Sequence, residues 1–278
     1  MIKLIIDSTC DIPNEKLKEF DITILPITVD IEGVSYKDKV NLNSEDFYIK
    51  IRGENVFPKT AQINPSTFEE AFQNEIDNNN EVICLTISST LSGTFNSAMI
   101  AKNTIDSSKI HVIDSKTVSY GTGLIAIEAA KLIKKGASIN EVLDKINHII
   151  ENQDVIAYLD TMEMLKRGGR IPKSIATIGN VLRIKPLLSM IDGELKPIEK
   201  AKGKKNALKL ISKYISKKPI DENIGLYIAH SNITSGIASE IEFLEKYNIK
   251  YNVEESVIGA SVGTHVGENA IAIFFVRK

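Results

Sequence analysis

Short apolar runs alternate with amphipathic stretches along the first half of the chain. The runs of strand length are Ile2–Ile6, Ile22–Ile31, Val82–Ile87 and Ile110–Ile113. Between them, apolar residues recur at helical spacing over about Asn14–Phe20, Ser66–Ile76, Leu124–Lys135 and Ile139–Asn152. Strands that alternate with helices indicate an α/β layer with a mostly parallel sheet. Pro26 interrupts the second run, which is typical of an edge or irregular strand.

Local signals mark where the helices of this half begin and end. Ser66–Glu69 and Ser138–Glu141 both match a capping box, in which Ser and Glu side chains bond backbone N–H groups of the first turn. Pro13 predicts the start of the first helix, and Gly136 predicts the end of the helix that precedes it.

The second half of the chain has a different pattern. Asp192-Gly193 separates the strand-like runs Ile184–Ile191 and Glu194–Ile198, which predicts a β-hairpin. Further elements are predicted at Val155–Leu159, Met162–Lys166, Asn206–Ser216, Ile224–Ala229, Gly236–Tyr247, Tyr251–Ser256 and Ala270–Val276. Hairpins mixed with helices indicate an α+β domain with a mixed sheet. We therefore predict two domains, residues 1–152 and 153–278, with a ligand site in the cleft between them.

Composition excludes several classes of protein. The 278 residues carry 34 Lys+Arg against 36 Asp+Glu, so no global basic field exists and nucleic acid is not an expected partner. Cys10 and Cys84 are too few and too far apart for a thiolate metal site, and no metal is expected. The N-terminus lacks a targeting pattern and no apolar stretch is long enough to span a membrane, so a cytoplasmic location is expected.

The segment Ser88–Thr94 is the most informative turn in the sequence. It is rich in hydroxyls and joins the predicted strand Val82–Ile87 to a segment with helical spacing. A helix N-terminus offers free backbone N–H groups and favours negative charge. The hydroxyl turn, as we name Ser88–Thr94, is therefore a candidate cradle for a small anion.

Two other motifs favour ordinary structural roles. Gly121–Ala126 matches G-x-G-x-x-A, but seven residues separate Ile113 from Gly121, whereas a dinucleotide site needs a tight strand-to-helix turn. A glycine-rich helix start is the favoured interpretation. Cys10 has no histidine near it in sequence, so local packing is favoured over a catalytic thiol.

Two residues of the second half leave alternatives open. His265 lies among Gly259, Gly263 and Gly267, which lets the backbone approach a ligand, although a surface-loop histidine fits the same pattern. Arg170 follows two glycines, a pattern that suits either a guanidinium presented to a ligand or one that pairs across the domain seam.

Six segments together resemble the DegV family. They are Asp7–Asp11, Lys59–Gln62, Ser88–Thr94, Asp114–Lys116, Gly168–Ile171 and Gly263–Gly267. They occur in the family's order and span nearly the whole chain; each is weak alone, whereas the ordered set is fairly specific.

The resemblance implies a fatty-acid-binding protein of two α/β-type domains, with the ligand between them. Such proteins present the bound fatty acid to a separate ATP-using fatty acid kinase, which forms the acyl phosphate. The matching positions imply that Thr60, Ser92 and His265 hold the carboxyl group, and that Arg170 is the family arginine. Lys202 falls where kinase-docking members often carry arginine. Polar and backbone groups expected to support the site are those of Ser89, Gly93, Thr94 and Thr264.

The sequence departs from the family pattern at two places. The family often shows Thr-Ser-Gln-Pro where this chain has Thr60-Ala61-Gln62-Ile63, so Thr60 remains as the donor there. Lys202 keeps the positive charge of arginine but loses its bidentate fork. Docking to a kinase is thus less well supported than lipid binding.

The resemblance implies a lipid carrier that is not itself an enzyme and that needs no cofactor besides its ligand, and elementary energetics are consistent with lipid binding. Each buried methylene contributes about 0.8 kcal/mol, whereas a buried carboxylate needs hydrogen-bond partners. Phe95, Met99 and Leu124 are candidates for the tunnel wall, although ordinary core fits each of them. The alternative is a serine hydrolase or thioesterase, with Ser92 as nucleophile and His265 as base, but Ser92 lacks the G-x-S-x-G elbow and no acidic third member is evident.

Overall fold

The computed structural model describes residues 1–52, 56–171, 184–231, 237–245 and 252–278. Its strands are β1 (Ile2–Asp7), β2 (Ile22–Leu25), β3 (Thr28–Ile31), β4 (Val34–Lys37), β5 (Lys59–Ala61), β6 (Glu81–Thr86), β7 (Ile110–Asp114), β8 (Gln153–Tyr158), β9 (Ile184–Ile191), β10 (Glu194–Lys202), β11 (Leu226–His230), β12 (Val253–Val257) and β13 (Ile271–Val276). Its helices are α1 (Asn14–Glu19), α2 (Ser44–Ile51), α3 (Pro65–Asp77), α4 (Thr94–Ile105), α5 (Tyr120–Lys134), α6 (Ile139–Asn152), α7 (Glu163–Gly168), α8 (Gly203–Ile215), α9 (Ala238–Glu245) and α10 (Ala260–Val266).

The first sheet is parallel and has the strand order β2-β1-β6-β7. Alternate residues of β1 pack into different clusters: Leu4 and Ile6 face α5 and α6, and Ile5 faces α3 and α4. Helices therefore cover both faces of the sheet, as the near-continuous apolar runs of a buried parallel sheet predict. A small antiparallel sheet, β4-β3-β5, stands beside it.

The second sheet is mixed and has the order β10-β9-β8-β13-β11-β12. One face packs on α8 and α9, and the other faces α5. Residues Tyr120–Ala130 of α5 are all buried because this helix contacts strands of both the parallel and the mixed sheet. The predicted α/β fold with a second, mixed-sheet domain is confirmed; the boundary between residues 152 and 153 stays a prediction.

Two local predictions need correction. The run Ile22–Ile31 is not one strand: β2 lies at the edge of the parallel sheet and β3 joins the small sheet, because Pro26 separates them. The capping box at Ser66–Glu69 is wrong, since α3 begins one residue earlier, at Pro65, with Asn64 as its N-cap. Proline favours the first helical position, where its missing N–H costs nothing.

Other predicted elements are confirmed with adjusted ends. Ser138 caps α6 in a complete capping box, and Asp192-Gly193 forms the turn between β9 and β10. The return strand β10 continues to Lys202. Of the helix predicted over Gly236–Tyr247, α9 accounts for Ala238–Glu245, and residues 236 and 246–247 lie outside the described residues. Residue 251 of the predicted strand Tyr251–Ser256 does so as well.

Candidate functional site

A cavity of about 400 Å³ lies between the parallel and the mixed sheet. Its wall is mostly apolar, and β8, β9 and β13 supply a large part of it. The apolar residues of these strands on the wall are Val155, Ala157, Leu188, Met190, Ile271, Ala272 and Phe274. Five polar side chains of the lining lie close to one another, those of Thr60, Gln62, Ser92, Arg170 and His265, and we call this part of the lining the polar end. The lining also includes four further hydroxyl residues, Thr9, Ser119, Ser189 and Ser261. A mostly apolar pocket with a few convergent polar groups is the usual form of a small-molecule site.

Thr60 and His265 form the direct polar contact across this part of the cavity. Thr60 lies on β5 and His265 near the end of α10, and their Oγ1 and Nε2 atoms are 2.9 Å apart and hydrogen-bonded. His265 is therefore a helix residue that lines a cavity, and the surface-loop alternative is wrong. The glycine at position 263 matters for packing, since a Cβ there would lie 2.7 Å from the Tyr48 hydroxyl.

The hydroxyl turn brings Ser92 and Gly93 to the cavity. Gly93 is the N-cap of α4, and the Oγ atom of Ser92 lies 2.9 Å from Oγ1 of Thr94. Gln62 packs so closely on this turn that a Cβ on Gly93 would lie 1.8 Å from its Oε1 atom. Its Nε2 group donates to Ser97 Oγ at 3.0 Å. Gln62 was not predicted from the sequence as a lining residue, although it lies in the segment Lys59–Gln62.

Arg170 combines the two roles that its sequence left open. Its side chain lines the cavity, and it also crosses to the hydroxyl turn, where Nε donates to the Leu91 carbonyl at 3.2 Å. Nη1 donates to the Gly168 carbonyl at 2.6 Å. Gly169 ends α7 with φ at +69°, in the left-handed region that favours glycine, and so turns the chain toward Arg170. The guanidinium is thus fixed by two carbonyls.

The imidazole of His265 is neutral at pH 7. Burial lowers its pKa to about 4, and the nearby Arg170 charge acts in the same direction. Its Nδ1 atom is buried, and within the described part of the chain it has no hydrogen-bond partner. Gly168 packs against this edge of the ring, since a Cβ there would lie 2.4 Å from Nδ1.

Several predicted site residues lie outside the cavity lining. The Ser89 hydroxyl donates to Asp114 Oδ2 at 2.5 Å, and the Thr264 hydroxyl donates to the Ala260 carbonyl at 2.9 Å. Thr94 is fully buried behind Ser92. Lys202 is exposed at the junction of β10 and α8. The structure therefore brings together Thr60, Ser92, Gly93, Arg170 and His265 of the predicted set.

Buried carboxylates behind the cavity were not anticipated from the sequence. Asp38 Oδ2 accepts hydrogen bonds from Ser261 Oγ at 2.5 Å and Ser8 Oγ at 2.9 Å. Asp11 accepts from the Gly259 N–H at 2.8 Å, and burial raises its pKa to about 7. Both carboxylates therefore hold the start of α10, the helix that carries His265. The sequence signal for Asp11 was its place in the segment Asp7–Asp11.

Two other sequence motifs have structural roles. Gly121 and Gly123 lie in the first turn of α5, where a Cβ on Gly123 would lie 2.6 Å from the Cys10 carbonyl oxygen. They permit close packing, as the helix-start interpretation predicted. Burial raises the pKa of the Cys10 thiol to about 12, so the thiolate that a nucleophile needs is not formed at pH 7.

The residues that the structure describes contain neither a metal-binding group nor a membrane-spanning helix. Among them, no three His, Cys, Asp or Glu side chains are grouped so as to hold a metal ion. None of their helices combines the length and apolar character that crossing a bilayer requires. The expected cytoplasmic location stays a prediction.

Comparison with known proteins gives consistent matches over the whole chain. A model of an uncharacterised protein family, the DegV family, matches residues 1–278. A DegV domain-containing protein of Caldanaerobacter subterraneus subsp. tengcongensis is 37% identical over 220 residues, which cover 79% of this chain and 78% of the relative. Among solved structures, a DegV family protein from Thermus thermophilus, described in terms of fatty acid binding, has a TM-score of 0.90 at 26% identity, with 100% of this chain and 99% of that chain covered. DegV of Bacillus subtilis, described as a fatty acid binding protein, has a TM-score of 0.86 at 29% identity over the same shares of the two chains.

Proposed function

The chain belongs to the DegV family, and from this premise we propose that it binds a long-chain fatty acid in the cavity between its two sheets. The observation that carries the proposal is a mostly apolar cavity in which Thr60, Ser92, Arg170 and His265 lie close together. Burial of the alkyl chain contributes about 0.8 kcal/mol per methylene, which favours a long ligand. The two solved relatives described above as fatty acid binding support the same ligand class.

Thr60, Ser92 and His265 hold the carboxylate in this proposal. The Thr60 hydroxyl can accept a hydrogen bond from the neutral imidazole and donate its own proton to the ligand. Ser92 and the first N–H groups of α4 add donors, and Arg170 supplies the positive charge that an ionised carboxylate requires. Burial and the nearby Arg170 charge lower the pKa of His265, so in this proposal Arg170 is the cation of this end of the cavity.

The direct test is to identify what co-purifies with the protein. Organic extraction of freshly purified protein, followed by mass spectrometry, should release a fatty acid in near-stoichiometric amount. Protein stripped of lipid should take up an added long-chain fatty acid and melt at a higher temperature, because a ligand that binds the native state stabilises it. Absence of both lipid and uptake would exclude the proposal.

We further propose that a separate ATP-using fatty acid kinase phosphorylates the bound carboxylate, with Lys202 at the docking surface. Lys202 is exposed beside other exposed lysines of α8, which favours an acidic partner surface. With a kinase of this type, loaded protein should support ATP consumption. Lys202→Glu should reduce that rate, whereas Lys217→Glu, an exposed lysine just beyond the other end of α8, should not.

The serine hydrolase alternative has little support in the geometry. The Nε2 atom of His265 bonds Thr60, and in the described residues its Nδ1 atom lacks the carboxylate partner that orients a catalytic histidine. If the purified protein hydrolysed acyl esters and Ser92→Ala abolished the turnover, the hydrolase hypothesis would replace the carrier hypothesis.

A further inference from the structure

The hairpin of β9 and β10 extends beyond the sheet to which it belongs. In the strand pairs of the described residues, β9 pairs with β8 at Leu187 and Leu188 alone. From Ser189 to Lys196 the two strands of the hairpin pair with each other. An isolated two-stranded ribbon is at best marginally stable, so other contacts must hold this one in place. We call residues 189–196 the ribbon.

One face of the ribbon closes part of the cavity. Met190 and Leu195 are directly opposite each other in the ladder, and both line the cavity. On the other face, Ser189 at the base of the ribbon is buried, whereas Ile191 nearer the tip is exposed and Lys196 pairs with Glu194 at 3.4 Å. Toward its tip the ribbon therefore has one face that would contact an alkyl chain and one face exposed to solvent.

The tip of the ribbon is held by the hydroxyl turn. The Gly193 carbonyl accepts a hydrogen bond from Ser88 Oγ at 2.7 Å and another from Thr90 Oγ1. Gly193 is buried, while both of its neighbours in sequence are exposed. Its φ is +79°, and a Cβ there would lie 2.8 Å from Ser88 Oγ, so only glycine fits this contact without displacement. We call these two hydrogen bonds the clasp.

The base of the ribbon has the features of a hinge. The β9–β10 register shifts between Pro197 and Glu199, which leaves Ile198 as the extra residue of a bulge. This bulge is opposite Leu187 and Leu188, the level at which pairing with β8 ends. A bulge bends its strand and interrupts the ladder, and proline donates no hydrogen bond. The ribbon is thus weakly tied at its base and clasped at its tip.

We propose that the ribbon is the door through which the alkyl chain enters and leaves, and that Ser88 and Thr90 keep it closed. The inference rests on the proposed function, because it assigns a passage for the fatty acid. Opening breaks the clasp, turns the ribbon about its base and uncovers the apolar wall at Met190 and Leu195. The carboxylate site at Ser92 lies in the same turn but uses other hydroxyls.

A ribbon that opens for the ligand has a kinetic signature that a fixed part of the cavity wall lacks. The clasp is formed in both the empty and the loaded closed protein, so weakening it lowers the cost of opening equally in the two states. Uptake and release should therefore quicken together while the dissociation constant stays the same. Loss of a wall contact would instead quicken release alone.

The test is stopped-flow binding of a fluorescent long-chain fatty acid to the delipidated protein. The double variant Ser88→Ala with Thr90→Ala should raise both the association and the dissociation rate constants about tenfold, with the dissociation constant unchanged within about twofold. Ser89→Ala is the matched control, since it removes a hydroxyl of the same turn that bonds Asp114 and not the ribbon. If the double variant does not fold, each single variant should give a smaller rise of both rates.

Two results would overturn the proposal that the ribbon opens for the alkyl chain. Rates equal to those of Ser89→Ala would show that the clasp does not control passage, and a rise in dissociation alone would make the ribbon a fixed wall. Failure of the proposed function gives a different result, because the unaltered protein would then bind no fatty acid at all.

Discussion

The two ends of the cavity are built from different kinds of structure. A continuous part of the apolar wall comes from alternate residues of neighbouring strands, such as Val155 and Ala157 of β8. The polar end comes from four separate segments, which bring Thr60, Ser92, Arg170 and His265 together from a short strand, a turn and the ends of two helices. In the proposed complex the wall would supply affinity in proportion to buried area, whereas the polar end would prevent the cost of burying an unpaired carboxylate.

Because the two ends of the cavity are built differently, substitutions at each end should change ligand affinity in different ways. A change in the wall should depend on ligand length, because it alters how many methylenes fit. A change at the polar end should cost the same for every chain length, because each ligand carries one carboxylate. The following experiments use this difference.

The largest effect is expected from filling the wall. Ala272 of β13 and Ala157 of β8 are directly opposite each other and both line the cavity, so Ala272→Phe would place a ring where the alkyl chain runs. Exclusion of about four methylenes should cost about 3 kcal/mol for a long-chain fatty acid. Binding titrations with a series of chain lengths should show near-normal affinity for the short members. An equal loss at every length would contradict the assignment of this wall to the alkyl chain.

A smaller effect, independent of ligand length, is expected from Ser92→Ala. Loss of one hydrogen bond to a charged group should weaken binding by about 2 kcal/mol for every fatty acid in the same series. Ser89→Ala is the control, because its hydroxyl is bonded to Asp114 and lies off the cavity lining. A length-dependent loss would place Ser92 against the alkyl chain and not at the carboxylate.

Gly168→Ala should disturb the polar end without removing a polar group. The new methyl would lie 2.4 Å from His265 Nδ1, so the ring must shift and its bond to Thr60 must weaken. We expect binding to weaken by about 1 kcal/mol, measured by titration calorimetry. Gly169→Asn is the control: it has open space around it, and asparagine tolerates the left-handed backbone at φ +69°. Equal losses in both variants would mean that the α7 turn, not the imidazole, is responsible.

The smallest effect is a pH dependence of stability from His265. Its folded pKa, about 4, is below its ordinary value of 6.5, so between these values the unfolded chain binds more protons. The stability due to the neutral imidazole is complete above pH 6.5 and is lost as the pH falls toward 4. Relative to His265→Gln, the protein should lose about 0.8 kcal/mol of unfolding free energy between pH 7.5 and 6.0.

Denaturant unfolding of both proteins at the two pH values provides the measurement. The comparison with the variant is needed because Asp11, whose pKa burial raises to about 7, changes stability in the opposite direction over this range. If the unfolding free energies of the two proteins changed equally with pH, the pKa of His265 in the folded protein would be its ordinary value.

Much of the fold could be predicted because its signals are local. The apolar runs of β1, β6 and β7 and the Asp192-Gly193 turn lie within a few residues of the structure they specify. Boundaries were wrong where two local signals competed, as at Asn64-Pro65 against Ser66. Proline at the first helical position decided that case.

The site was less accessible to sequence reasoning because it depends on long-range contacts. Its residues were named through family resemblance, whereas spacing alone left Arg170 and His265 open. Phe95, Met99 and Leu124, proposed for the wall, do not line the cavity; Leu124 is buried in the core. Strands of the mixed sheet supply part of the wall, and no local pattern states which face of a strand will border an open space.

The position of α5 restricts how this molecule can move. The helix is in contact with strands of both sheets along its buried length. If the two sheets moved apart, α5 would lose its contacts with one of them. The apolar surface exposed to water would then cost free energy in proportion to its area. Separation of the two halves is therefore unfavourable, which favours ligand exchange through a small element at the periphery while the centre of the protein stays intact.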